Sequence, residues 1–361
     1  SGLTLVSNSD GSGRDSLTLV TDGTRAGGTG AGDISFAAGS HVLGGDGRLA
    51  DVRIRSASAT SAVRLGSVTG RNLMGAVGAE EFGLGLIRAS ELRTGNVAVG
   101  GDLILSGNTI AAGTLTSTGG DVRLSAGVGG ITAGAIRAAG DLSLQAVDGI
   151  TVDQLNSRGA ILARTGGDLA LSGDAFAASD LTLEGVSVRF GGRTVQSGGA
   201  IDILAHGGGI LSTGPLALTS TSSDASDFVR LQVGGLEGIN FAGGSVLTAG
   251  VDQALGVRIF NAVDGGPIVL GDVSARSLRM LDTLGGDPSQ AGGRVISQGS
   301  LTFGRLSLVE SFAAESLGGD LSVGAVNVRG AGQGVDLRGA RLAARGDIVA
   351  DGAVALAGSS V

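Results

Sequence analysis

Three columns of apolar residues advance through the chain in step. One holds Leu103, Val122, Leu142, Ile161, Leu181 and Ile201, at steps of 19 or 20 residues. A second holds Ile110, Ile131, Ile150, Leu169, Val188 and Ile210, and a third holds Leu115, Ile136, Leu155, Phe176, Val195 and Leu216. Inside each repeat the apolar residues come in short alternating bursts, such as Val122-Arg123-Leu124, Leu142-Ser143-Leu144 and Leu181-Thr182-Leu183. Period two marks strands and not helices. Each repeat of roughly 20 residues therefore holds three short strands, divided by Gly, Asp, Asn or Ser. Strands this short make no stable sheet alone. Stacked at about 4.8 Å per turn, each would pair with its own copy above and below. The expected fold is all-β: a right-handed parallel β-helix, a solenoid with about three short strands per turn.

Composition supports this and excludes alternatives. Of 361 residues, 70 are Gly and only nine are aromatic, all Phe. Glycine at this density disfavours a helical protein, since each Gly in a helix costs about 1 kcal/mol against Ala. With 42% apolar and 16% charged residues the chain does not read as disordered. A narrow three-faced interior has little room for Trp or Tyr, and both are absent. There is no Cys, so no disulfide and no cysteine zinc site is expected, and the absence fits an exported bacterial protein. All 25 basic residues are Arg. The net charge of −8 disfavours nucleic acid and anionic lipid as partners. No apolar run reaches 18 residues, so no membrane span is expected. The start Ser1-Gly2-Leu3 reads as a processed chain or a fragment.

One continuous repeat domain is expected over 1–361, regular from about 96 to 220. Similar bursts precede it at Leu17-Thr18-Leu19, Ile34-Ser35-Phe36, Val52-Arg53-Ile54 and Val63-Arg64-Leu65. Val229, Ile239 and Leu247 read as one longer turn, and Val257, Ile268 and Leu278 as the next. Two polar segments, 219–227 and 285–293, read as inserts that project from the solenoid. The Gly-free stretch from Arg305 to Leu317 offers a short helix as a minor alternative.

The phrases Gly100-Gly101-Asp102-Leu103-Ile104-Leu105-Ser106, Gly119-Gly120-Asp121-Val122-Arg123-Leu124-Ser125-Ala126 and Gly318-Gly319-Asp320-Leu321-Ser322-Val323 recur, with Gly130-Ile131-Thr132-Ala133-Gly134 and Gly149-Ile150-Thr151-Val152 following the pattern. This resembles the repeats of filamentous-haemagglutinin-like exoproteins, the large secreted partners of bacterial two-partner secretion. The likeness is clear over about 96–215. It implies a β-helical adhesin or stalk at the bacterial surface, and an outer-membrane secretion partner. The family's Asn-Pro-Asn secretion motif is not in this sequence.

No catalytic residue, cofactor or metal is expected. The Asp residues at turn starts, Asp102, Asp121, Asp141 and Asp180, suggest a cation ladder, but Ala160 and Ala200 interrupt it. The favoured reading is that each Asp caps its own corner. Gly44-Gly45-Asp46-Gly47-Arg48 approaches a calcium nonapeptide and does not repeat. His41 and His206 lie far apart and read as surface corners. The Gly runs at 24–32 and 206–209 lack the helix and Lys of a phosphate loop. Asp202, Asp224, Asp227 and Arg230 are the best acidic group for an enzyme, but Phe228 and Phe241 read as core, which leaves no aromatic platform. Arg53, Arg55, Arg64, Arg123 and Arg137 alternate with core positions and should point outward. Contact residues, if any, are expected on the inserts: Asp224, Asp227, Asp287 and Gln290. Partners would be a host or bacterial cell surface, a glycan or matrix. The alternative is a subunit that self-associates end to end into a filament, sheath or surface layer.

Overall fold

The computed structural model describes residues 4–6, 16–21, 34–37, 39–43, 51–56, 62–70, 73–76, 89–261, 266–280 and 293–360. Among them the secondary structure is β-strand throughout, apart from one 3-10 turn at Val251–Gln253. The strands pair in parallel with their equivalents one turn away, which makes a parallel β-solenoid with turns of about 20 residues. Two compact units divide the chain, residues 1–167 and 168–361.

In the first unit each of three faces is a column in direct register. Leu17, Val52, Leu73, Leu103, Val122, Leu142 and Ile161 stack on the first face. Ile34, Val63, Leu92, Ile110, Ile131 and Ile150 stack on the second. Leu5, Val42, Val68, Val97, Leu115, Ile136 and Leu155 stack on the third. The second unit repeats the plan. Its first face begins with Leu181, Ile201, Val229, Val257 and Leu278. Its second runs Leu169, Val188, Ile210, Ile239, Ile268, Leu301, Leu321 and Leu342.

These columns are the core. Leu103, Val122, Ile201, Val229, Val257 and Leu301 are fully buried. Removing each such side chain from water stabilises the fold by about 1.5–3 kcal/mol. Larger rings enter where the corner leaves room: Phe303 and Phe312 are buried edge to face, 5.8 Å apart.

The third face of the second unit corrects the sequence reading. Val195 stacks on Ala175 and Leu218, not on Phe176 and Leu216. Phe176 lies in register with Gln196 and faces outward, half-buried, between two inward alanines. The period of two fixes this: a one-residue shift flips every side chain. Leu278 likewise opens a new turn on the first face, and Val273 fills the third-face place. The Gly-free stretch 305–317 is not helical. It holds the strand Leu306–Leu308 and the start of Phe312–Val323.

The corners explain the recurring phrases. Each turn-start Asp accepts the backbone N–H of the equivalent residue in the next turn. Asp102 accepts from Asp121 at 2.9 Å, Asp121 from Asp141 at 2.9 Å, Asp141 from Ala160 at 2.8 Å and Asp180 from Ala200 at 2.9 Å. The expectation that Asp caps its own corner is therefore corrected: the bond reaches across to the neighbouring turn. The glycine before each acceptor site follows from it. A Cβ on Gly120, Gly140, Gly159 or Gly199 would collide with the Oδ1 of Asp102, Asp121, Asp141 or Asp180. Buried serines satisfy the same corners from inside. Ser157 Oγ lies 2.6 Å from the Gly140 carbonyl and 3.1 Å from that of Ala160, and accepts from Gly159 N–H at 3.1 Å. Ser117 and Ser197 repeat the arrangement.

Candidate functional site

The strands Phe228–Val233 and Gly256–Asn261 alternate strictly. Val229, Leu231, Val257 and Ile259 point in, so Phe228, Arg230, Gln232, Arg258 and Phe260 point out. Register then sets outward residues into two rows on the first face of the second unit. One row is Asp202, Arg230, Arg258 and Arg279. The other is Leu204, Gln232 and Phe260. Phe228 was expected in the core with Phe241. Phe241 is buried, but Phe228 is half-buried on the outside.

Three arginines at successive rungs, about 4.8 Å apart, repel one another. Acids neutralise the outer two. Arg230 makes a two-pronged pair with Asp202, its Nε donating to Oδ1 at 2.6 Å and its Nη2 to Oδ2. The bond to Asp202 is the main reason the Arg230 pKa is raised. Arg279 Nη2 donates to Glu310 Oε2 at 2.8 Å, and Arg276 Nε stands 3.7 Å from the other oxygen. Arg258 sits between them. Among the described residues no carboxylate pairs with it. Its guanidinium lies over the Phe228 ring, 4.4 Å from the centroid, and Arg230 approaches the same ring at 5.8 Å. Burial, and then the like charges of Arg279 and Arg230, hold its pKa below the usual arginine value.

The insert at 219–227 is put to structural use. Thr219 and Ser220 belong to the strand Ala217–Ser220, and Ser222 is buried, so only Thr221 and 223–226 stand out. Ser222 Oγ donates to Asp227 Oδ2 at 2.5 Å. Asp224 Oδ1 accepts from Ser226 N–H and Ser226 Oγ, both at 2.9 Å, and its pKa is lowered chiefly by that backbone bond. The acidic group Asp202, Asp224, Asp227 and Arg230 is thus not gathered round a substrate: each acid has its own local partner. Asp287 and Gln290, the contact residues expected on the insert 285–293, lie outside the described residues, as do Gly44–Arg48 and the Gly run at 24–32. The side chains of Arg53 and Arg55 also lie outside.

Other sequence candidates have local roles. His206 is exposed at a corner, its Nε2 2.7 Å from Glu184 Oε1. His41 is exposed in a strand. Arg64 and Arg93 both pair with Glu91, at 2.7 and 2.5 Å, and the Arg93 hydrogen bond is the largest cause of the lowered Glu91 pKa. Arg123 pairs with Asp121 at 2.7 Å, and Arg137 donates to Gln154 at 3.2 Å. Among the described residues no group of three or more His, Asp or Glu is placed to hold a metal. Sequence reading missed the Arg230–Arg258–Arg279 ladder. Its members lie 28 and 21 residues apart in turns lengthened by inserts, so no fixed period reports them. No protein-family model matches the chain, and neither a curated protein nor a solved structure matches it.

Proposed function

We propose that this chain is a stiff solenoid section of an exported bacterial surface protein of the filamentous-haemagglutinin-like kind. Its role is mechanical: it holds adhesive or effector regions away from the cell and performs no chemistry of its own. The observation that carries this reading is where the outward polar groups go. Corner Asp residues bind the next turn's amides, corner Ser residues bind buried carbonyls, and the acids of 202–227 bind Arg230, Ser222 and Ser226. Such a chain has committed its polar side chains to holding turns together, which suits a load-bearing scaffold. Stability in a solenoid grows nearly additively with each neighbour, so length can be extended without a new core. No helix among the described residues is long and apolar enough to cross a membrane. The partners we propose are an outer-membrane secretion protein during export, and a host cell, bacterial cell or matrix afterwards.

The test is immunolabelling of intact source cells, with and without external protease. Labelling that disappears on brief proteolysis, while a cytoplasmic marker survives, is expected. Labelling only after the cells are permeabilised would overturn the reading.

A further inference from the structure

We propose that Arg258, with the outward row Leu204, Gln232 and Phe260 beside the arginine ladder, forms a binding site for a carboxylate-bearing sugar. The site goes beyond the stalk role and does not depend on export.

Charge sets the first requirement. Asp202 balances Arg230 and Glu310 balances Arg279, which leaves the central guanidinium with no acid among the described residues. Stacking on Phe228 fixes its plane and leaves its donors to be satisfied from outside. Arginine is a planar fork that matches a carboxylate with two parallel hydrogen bonds. Burial and the two flanking cations already disfavour its charge, so an arriving anion relieves both.

The second row sets the rest of the ligand. Phe260 is two residues beyond Arg258 on the same strand, so its ring stands about 6.6 Å further along the outward face. Gln232 lies in register with Phe260, and Leu204 in register with Gln232. An apolar ring face beside an amide and an unpaired guanidinium suits a pyranose with one acid group: C–H bonds over Phe260, hydroxyls at Gln232, carboxylate at Arg258. A bare anion would leave Phe260 and Leu204 unused. A densely charged polymer would meet Asp202 and Glu310 on either side of its one attractive centre.

The experiment is calorimetric titration of the whole chain with two probes, a galacturonate hexamer and sialyllactose, against neutral maltohexaose and a sulfated heparin fragment. Binding of a carboxylated probe, with maltohexaose silent, is expected. Which of the two probes binds distinguishes an internal uronate from a terminal sugar acid. Arg258→Met should weaken binding at least tenfold, and Phe260→Ala several-fold, with unchanged circular dichroism. Arg258→Lys keeps the charge without the fork and should still lose most of the affinity. As a check on the intact fold, the Arg258 Nε–H resonance of the unmutated chain should shift on adding the bound probe. No binding of either carboxylated probe, equal binding by Arg258→Met, heparin binding as tight as the carboxylated probe, or a silent Arg258 resonance would each overturn the proposal.

Discussion

Gly199 and Asp180 offer a sharp test of the corner mechanism. Asp180 Oδ1 accepts the Ala200 amide at 2.9 Å, and a Cβ on Gly199 would collide with that same oxygen. The next nearest atoms to such a Cβ, Asp180 Cγ and N, both lie at 3.3 Å. The φ of Gly199 is not in the left-handed region, so alanine meets no backbone strain there. Asp180→Ala alone loses one hydrogen bond, about 1 kcal/mol. Gly199→Ala alone must push the carboxylate aside. It loses that bond and adds overpacking of about 1–3 kcal/mol, less about 0.4–1 kcal/mol returned by a stiffer unfolded chain. The double variant has no carboxylate to displace, so it keeps the loss of the bond and the chain-entropy gain, which nearly cancel. Asp180→Ala should therefore destabilise the chain when residue 199 is Gly and stabilise it when residue 199 is Ala, with a coupling of roughly 1–2 kcal/mol. The assay is guanidinium unfolding followed by far-ultraviolet circular dichroism, because the chain has no Trp or Tyr to report by fluorescence. Strict additivity of the two substitutions would refute the collision and the hydrogen bond together.

Three further outcomes follow from the same geometry. Ser157→Ala strips a hydroxyl that serves two carbonyls and an amide at a buried corner, and should cost about 1–3 kcal/mol in chemical denaturation. Leu231→Ala opens a cavity in a fully buried rung, and should lower stability by about 2–5 kcal/mol. Asp224 should titrate below the usual aspartate value of 3.8, because Ser226 N–H and Oγ favour its charged form. That depressed pKa contributes stability above 3.8 that is lost as pH falls through the folded value, so a carbon-detected NMR titration should find its midpoint lower than that of an unpaired aspartate.

Much of the fold was legible because it rests on the alternation of large apolar residues. Leu103, Val122 and Leu142 stack as their spacing says, and so do Ile110, Ile131 and Ile150. The reading failed where an aromatic ring drew a column to itself. Phe176 is the largest apolar residue of its burst, but Ala175 and Ala177 fill the inner positions. Size suggested core, and the pleat decided otherwise. Phe228 misled in the same way and became the platform under Arg258. The site was hidden for a different reason. Arg230, Arg258 and Arg279 share no period, because the inserts that lengthen their turns leave the strands in register while removing them from register in sequence.

The Gly-Gly-Asp phrase shows how one turn constrains the next. At the first-face corner an Asp fills the space where the following turn would place a Cβ, so the chain one turn on needs Gly. Asp102 is followed by Gly120, Asp121 by Gly140, Asp141 by Gly159 and Asp180 by Gly199. The requirement lapses where the Asp lapses. Ala200 offers no carboxylate, and the residue in the matching place one turn later, two before Val229, is Asp227 and not Gly. The third-face corner uses the device more loosely. Asn96 faces Gly113 and Asp272 faces Gly304, but Asp174 accepts from Thr194, which follows Arg193. Glycine at the first-face corner is thus the steric imprint of an acceptor one turn away. The repeat is written partly by packing and partly by a hydrogen bond that each turn makes for its neighbour, which is why the phrase survives where the apolar residues around it vary.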